Sequence, residues 1–246
     1  MEQLVAVVTG ASRGIGRSIA VALAKKGYHV VINYHTSENE AKKTLEEVCK
    51  YSVGVIYKAD ISDSKQVQNM AQFVKEQFGV IDVLVNNAGK ILRPGNWDII
   101  SDDDWDMTIN INAKGMYMCT REMAGLFRKD RVGHIVNISS TVGEAGAAPV
   151  IAYGAAKAAT INMTKSFAAA FAPNITVNSV APGNIDTEMT AGAGKDLVDW
   201  VISMTPMGRL GTTQDVADLV TFLCSEQANF ITGQVIDIDG GYSWRT

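Results

Sequence analysis

Leu4-Val-Ala-Val-Val-Thr-Gly10-Ala-Ser-Arg-Gly14-Ile-Gly16 is the stretch that decides the fold. Leu4 to Thr9 is a short, almost wholly apolar run, as expected of a strand buried on both faces of a parallel sheet. Three glycines follow, and then an alanine-rich helical segment that reaches Lys26 before Gly27 stops it. A strand, a glycine turn and a helix in immediate succession form a dinucleotide-binding unit. The glycines permit a tight turn and let the backbone approach a pyrophosphate, whose charge is then met by the positive end of the helix. Their spacing here is G-x-x-x-G-x-G, not the more familiar G-x-G-x-x-G.

The next apolar run, residues 29–34, ends where an adenosine ribose would lie. A site selective for NAD places a carboxylate there to bind the 2′-hydroxyl. In this chain Tyr34 is followed by His35, Thr36 and Ser37, and no acid occurs before Glu38. Arg13, in the glycine loop, supplies a cation suited to a 2′-phosphate. These positions favour NADP(H) over NAD(H).

Further along, Tyr153-Gly-Ala-Ala-Lys157 sets a phenol and an ammonium four residues apart, with Ser140 thirteen residues earlier at the end of a strand-like run. On a helix, residues i and i+4 share a face, so Tyr153 and Lys157 can point into one site. A phenol that exchanges a proton near neutral pH needs its pKa brought down from about 10. A cation about 4 Å away at an effective dielectric near 20 contributes roughly 4 kcal/mol, or about three pKa units. Taken alone, the pair is also consistent with an ordinary surface contact on a helix.

With Thr9–Gly16, Asn86-Asn-Ala-Gly89, the Ser140/Tyr153/Lys157 set, Ala181-Pro-Gly183 with Thr187, and the closing run Ile231–Gly241 in this order, the chain resembles the short-chain dehydrogenase/reductase family over nearly its whole length. Within that family it is most similar to 3-oxoacyl-[acyl-carrier-protein] reductases. The resemblance implies NADPH-dependent reduction of a ketone, with Tyr153 as general acid, Ser140 hydrogen-bonding the carbonyl oxygen, and Lys157 tuning Tyr153 and binding the nicotinamide ribose. It implies Asn112 as the fourth catalytic member, holding a water between Lys157 and solvent. Asn110 lies close by, but only Asn112 carries the following x-x-Gly. The cofactor contacts implied are Gly10, Ser12, Arg13, Gly14, Ile15 and Gly16 at the phosphates, with Tyr34, His35 and Thr36 at the ribose. Asp60 and Ile61 are implied at the adenine, Asn87, Ala88 and Gly89 at the adenosine ribose, and Pro182, Gly183, Ile185 and Thr187 at the carboxamide. Plain structural roles also exist: residues 86–89 suit a turn, and residues 60–63 suit the cap of a helix over 64–78.

At 246 residues the chain fits one α/β domain with a sizeable core, spanning 1–246. Strands near 4–9, 29–34, 55–58, 81–86, 132–138, 175–180 and 234–238 alternate with helical segments, which argues a doubly wound Rossmann-type sheet of about seven parallel strands. The start Met-Glu-Gln enters a strand at once, so no secretory signal is expected. The longest uncharged stretch, 166–185, contains Pro173 and Pro182 and does not suit a membrane span. Cys49, Cys119 and Cys224 are scattered and read as buried or partly buried thiols of a cytoplasmic protein, and neither they nor the three histidines have metal-ligand spacing. A net charge of −4 gives no general attraction to nucleic acid or membrane.

The substrate side is expected from Asn184 to Met207, a lid rich in small and apolar residues, with Met189, Leu197, Trp200, Met204 and Met207 and with mobility lent by Gly192 and Gly194. Lys195 is its one central cation, so an uncharged or thioester-linked ketone is expected in preference to a keto acid. Arg128, Lys129 and Arg131 form a basic group that can dock an acidic carrier protein or a phosphopantetheine-type thioester, or serve only a helix end. Two departures from the carrier-protein reductases stand out: Ser166–Asn174 lacks their acid and basic residue, and Lys90–Trp97 is unusual and borders the site. The alanines of the helix over 152–172 permit close packing, and the resemblance implies a homotetramer.

Overall fold

In the computed structural model, residues 3–93, 96–191 and 194–244 are described. The elements run β1 (Leu4–Val8), α1 (Gly14–Lys25), β2 (Tyr28–Tyr34), α2 (Glu38–Val48), β3 (Gly54–Lys58), α3 (Ser64–Phe78) and β4 (Val83–Asn86). Then follow α4 (Asp102–Ile109), a π-helical turn (Asn110–Lys114), α5 (Gly115–Met123), β5 (Gly133–Ile138), α6 (Val142–Ala145), α7 (Ile151–Phe171) and β6 (Ile175–Pro182). The chain closes with α8 (Glu188–Ala191), α9 (Lys195–Met204), α10 (Thr213–Leu223) and β7 (Val235–Ile238).

All seven strands pair in parallel in the order β3-β2-β1-β4-β5-β6-β7. Side chains alternate across the sheet with period two, which builds two cores. Ala6, Val8, Val30, Ile32, Val85 and Val136 meet the apolar faces of α1 and α10 on one side. Val5, Val7, Val31, Leu84, Ile135 and Val177 meet α3 and α5 on the other. Burial on both faces explains why these strands read as unbroken apolar runs. After β3 the chain returns to place β4 beside β1, so the strand order reverses there and opens a crevice at the carboxyl ends.

Two polar devices tie this sheet together. Asp82, nearly fully buried, accepts from the Val5 amide at 2.8 Å and from Arg128 Nε at 3.1 Å, and Arg131 Nε stands 3.8 Å away. Two of the three cations of the suspected docking patch thus serve the fold, and of the three Lys129 alone is exposed. His134, 5% exposed, pairs through Nδ1 with Thr176 Oγ1 at 2.9 Å, and burial pushes its pKa down to about 4. The native state therefore resists protonating a ring that the unfolded chain protonates near 6.5. Full stability holds above about pH 6.5 and falls as the pH drops towards 4, by as much as about 3 kcal/mol from this residue. Urea unfolding at pH 7 and pH 4.5 should show the drop, and His134→Gln should flatten it.

Cys119 and Cys224 are buried, but Cys49 is exposed, because it follows the last turn of α2 at the surface and faces no sheet. Of the suspected cap residues, Asp63 does cap α3, accepting from the amides of Lys65 and Gln66, whereas Asp60 accepts from Ser62 and lies at the crevice. Among the described residues no helix is long and apolar enough to cross a membrane, and no group of three or more potential metal ligands occurs.

Candidate active site

One cleft of about 980 Å³ opens at the carboxyl ends of the strands, and the loops after β1, β2, β4, β5 and β6 line it. It holds every residue expected at the cofactor, and with them Ser140, Tyr153 and Lys157. Asn112 lies just behind its wall.

The glycine loop is held from outside. Asn33 Oδ1 accepts the Gly10 amide at 3.2 Å, and Asn87 Nδ2 donates to the carbonyls of Thr9 and Gly10 at 2.9 and 3.0 Å. Thr9 Oγ1 in turn accepts the amides of Asn87 and Ala88. Residues 86–89 are therefore the clamp on the glycine loop as well as a turn. Gly10 has φ +61°, and a Cβ there would stand 2.7 Å from Ala88 Cα. The first turn of α1 has no side-chain cap and no acid, so its free amides face the cleft beside Gly14 and Ile15. A pyrophosphate fits this cradle, with backbone donors and the helix dipole supplying the attraction.

At the ribose corner Tyr34 is buried, His35 Nε2 stands 3.7 Å from Asp60 Oδ2, and Glu38 is turned to Lys42 at 2.7 Å. Arg13 bridges this corner to the lid: Nη2 donates to Ser37 Oγ, and Nη1 pairs with Glu188 at 2.7 Å. The carboxylates of this corner are thus directed to side-chain cations: Glu38 to Lys42 and Glu188 to Arg13.

At the other end, α7 carries Tyr153 and Lys157 on one face, and Ser140 follows β5. The Ser140 hydroxyl accepts the Val142 amide at 3.3 Å and donates to the Pro182 carbonyl at 3.4 Å. Lys157 is buried, and its Nζ donates to the Ile138 carbonyl at 2.8 Å and lies 5.4 Å from the centre of the Tyr153 ring. In this arrangement the Lys157 ammonium bonds the Ile138 carbonyl and not the phenol that it is expected to tune. Burial pushes Tyr153 up to about 12, against opposing effects of the Ser140 hydroxyl and the Arg93 charge. Burial also pulls Lys157 down to about 8, because an enclosed ammonium loses hydration. A phenol in this state is protonated throughout the neutral range and so is ready to donate.

Asn112 sits in the π-helical turn, a local widening common at functional sites. Its amide donates to the carbonyls of Lys90 and Thr108 and accepts the Lys90 amide, fixing the start of the loop after β4. Gly89 makes this possible, since a Cβ would meet Asn112 Oδ1 at 2.6 Å and Lys157 Nζ at 3.5 Å.

The lid expected over 184–207 contains α8 and α9, with Gly192 and the side chain of Met189 outside the described residues. Trp200, Leu197 and Met207 are exposed rather than packed away, and Trp200 meets Tyr242 edge-on at 6.5 Å. Tyr242 and Ser243 themselves line the cleft, held by bonds from Gly241 and Ser243 to Asp239. Sequence reasoning missed this contribution of the C-terminal turn, as it did Arg93, Thr9 and Asn33. Of these only Arg93 had a usable signal, its place in the unusual segment beside the site.

Comparison with known proteins bears on the family and the fold. Residues 10–243 match a family described as enoyl-(acyl carrier protein) reductase. A 3-oxoacyl-[acyl-carrier-protein] reductase, FabG, of Staphylococcus aureus is 42% identical over 238 residues, covering 96% of each chain. The FabG of Thermotoga maritima is 38% identical over 247 residues, covering 98% of each. Among solved structures, a short-chain dehydrogenase/reductase of Brucella melitensis described as glucose/ribitol dehydrogenase superposes with TM-score 0.91 at 32% identity, covering 98% of this chain and 97% of that one. A Serratia marcescens short-chain dehydrogenase/reductase mutant gives TM-score 0.91 at 34% identity, covering 98% of each.

Proposed function

The chain belongs to the short-chain dehydrogenase/reductase family and is an oxidoreductase, and from that premise we propose that it reduces the ketone of a 3-oxoacyl thioester, carrier-protein- or CoA-linked, to a secondary alcohol with NADPH. The observation that carries the proposal is the meeting of Ser140, Tyr153 and Lys157 in the cleft that also holds the free first turn of α1. The relatives named for 3-oxoacyl-[acyl-carrier-protein] reduction support the substrate class and a place in fatty acid biosynthesis.

When bound, the nicotinamide supplies a hydride to the carbonyl carbon. The chain's own residues do the rest. Tyr153, protonated at neutral pH, gives its proton to the carbonyl oxygen as negative charge develops there. The Ser140 hydroxyl exchanges its 3.4 Å bond to Pro182 for one to that oxygen, a preorganised donor aimed at the growing charge. Lys157, once it leaves the Ile138 carbonyl for the ribose hydroxyls, brings its charge to the phenolate left behind and lowers the cost of proton loss. Asn112 holds the loop after β4 and the wall behind Lys157, where a proton path to solvent would run.

Selection of NADPH rests on Arg13 and on the missing acid after β2. The test follows nicotinamide absorbance with an acetoacetyl thioester and either cofactor. Turnover with NADPH well above that with NADH is expected. Equal use of both would favour an alcohol- or sugar-type dehydrogenase, and cofactor binding without turnover would reject the thioester class. Arg13→Ala should raise the KM for NADPH about tenfold or more, the loss of one charge-assisted contact, with much less change for NADH. A homotetramer built on the exposed alanines of α7, among them Ala155 and Ala158, completes the proposal, and sedimentation would test it.

A further inference from the structure

The ribose corner of the cleft carries a side chain whose charge the pH can change. Tyr34, the last residue of β2, is packed into the core, so His35 is the first exposed side chain beyond the strand. It stands where an NAD-selective site has its carboxylate. His35 lines the cleft with Arg13, Ser37 and Asp60. Its Nε2 is 3.7 Å from Asp60 Oδ2. Asp60 Oδ1 is already taken by the Ser62 amide at 2.8 Å and the Ser62 hydroxyl at 2.7 Å, which leaves Oδ2 to face the imidazole. Arg13 reaches the same segment from the glycine loop, donating to Ser37 Oγ two residues beyond His35.

The charges around the imidazole decide what it can do. Besides Asp60 and Arg13, Lys58 pairs in register with Tyr34 on the neighbouring strand. The acids of α2 are directed to cations, Glu38 to Lys42 and Glu40 to Arg17 and Lys43, and Glu188 of α8 is directed to Arg13. Asp60 is the carboxylate that faces His35. An imidazole is the side chain whose charge ordinarily changes between pH 5 and 8. A phosphate brought between His35 and Arg13 adds a second anion beside the ring, and nearby negative charge favours its protonated form. A ribose 2′-hydroxyl, being neutral, does not.

We propose that His35 takes up a proton from solvent when the 2′-phosphate of NADP(H) binds, so that an imidazolium and the Arg13 guanidinium hold the phosphate between them. The inference rests on the reading of this corner as selective for NADP(H). The bound state then carries more protons than the free state, so affinity for NADP(H) falls as the pH rises, and the preference over NAD(H) falls with it. The phosphate's own second proton leaves near pH 6 and acts in the opposite direction. The contribution of His35 is therefore read above about pH 7, where the phosphate is already fully charged.

The test is calorimetric titration with NADP⁺ and with NAD⁺, and it needs no turnover. Repeated at pH 7.5 in buffers of different ionisation enthalpy, it counts protons: the wild type should take up a fraction of a proton with NADP⁺ and none with NAD⁺. Between pH 7 and pH 8.5 its affinity for NADP⁺ should fall about fivefold, and that for NAD⁺ should stay within about twofold. His35→Gln should abolish the uptake and flatten the pH dependence. His35→Lys, charged throughout this range, should bind NADP⁺ at pH 8.5 at least as tightly as the wild type and take up no proton. A preference for NADP⁺ with no proton uptake, or an uptake that persists in His35→Gln, would overturn the proposal alone. Equal affinity for the two cofactors at pH 7 would overturn selection by the 2′-phosphate, and the proposal with it.

Discussion

Tyr153→Phe should reduce kcat by about a hundred- to ten-thousand-fold, the usual worth of a positioned general acid. The substitution removes only the hydroxyl. The ring stays on α7, and the Lys157 ammonium keeps both its aromatic neighbour, 5.4 Å from the ring centre, and its 2.8 Å bond to Ile138. Binding of NADPH should therefore change by no more than about twofold, if the lost hydroxyl serves the reacting oxygen as proposed and not the phosphates or ribose. Single-turnover rates at nicotinamide absorbance, with binding followed by tryptophan fluorescence, separate the two effects. A variant with near-normal turnover would remove Tyr153 from the chemistry. A variant that no longer bound NADPH would make it a structural residue.

Gly16→Ala should weaken NADPH about a hundredfold or more, equivalent to roughly 2.7 kcal/mol. A Cβ at Gly16 would stand 2.5 Å from the Gly10 carbonyl oxygen, 2.5 Å from Asn87 Nδ2 and 2.9 Å from Ala11 Cα. Two of these three neighbours are backbone, and the third is the side chain that clamps the loop to the carbonyls of Thr9 and Gly10. None can give way without opening the cradle over the first turn of α1. The melting temperature should fall as well, since the same bonds join the glycine loop to the end of β4. Calorimetric titration with NADPH measures the first effect and a thermal melt the second. Unchanged affinity would mean that the phosphates do not lie against this turn.

The parts that sequence conveyed are those in which local pattern and tertiary role coincide. Residues 4–16 read correctly because a doubly buried strand must be apolar and a close backbone approach must be glycine. The seven strands and the helix over 64–78 were visible for the same reason, and so was the shared face of Tyr153 and Lys157. Spacing could not say which acceptor Lys157 would choose. That depends on the Ile138 carbonyl, which β5 brings from nineteen residues away. Likewise Thr9, Asn33 and Asn87 hold the loop by bonds across three strands, and none carries a sequence signature for that work. The basic group at 128–131 looked like a surface patch because its partner, Asp82, is forty-six residues from Arg128 in the chain. Arg93 lay in a segment that the sequence set beside the site, but with no period there to say which side chain would line the cleft.

The most direct measurement is the fate of the hydride. NADPH carrying deuterium at both C4 positions would be incubated with an acetoacetyl thioester, and the product examined by mass spectrometry. One deuterium on the carbon that bears the new hydroxyl is the predicted result, formed by the wild type and lost with Tyr153→Phe. A hydroxyl product without deuterium, or oxidation of the cofactor with no alcohol formed, would contradict ketone reduction at this site.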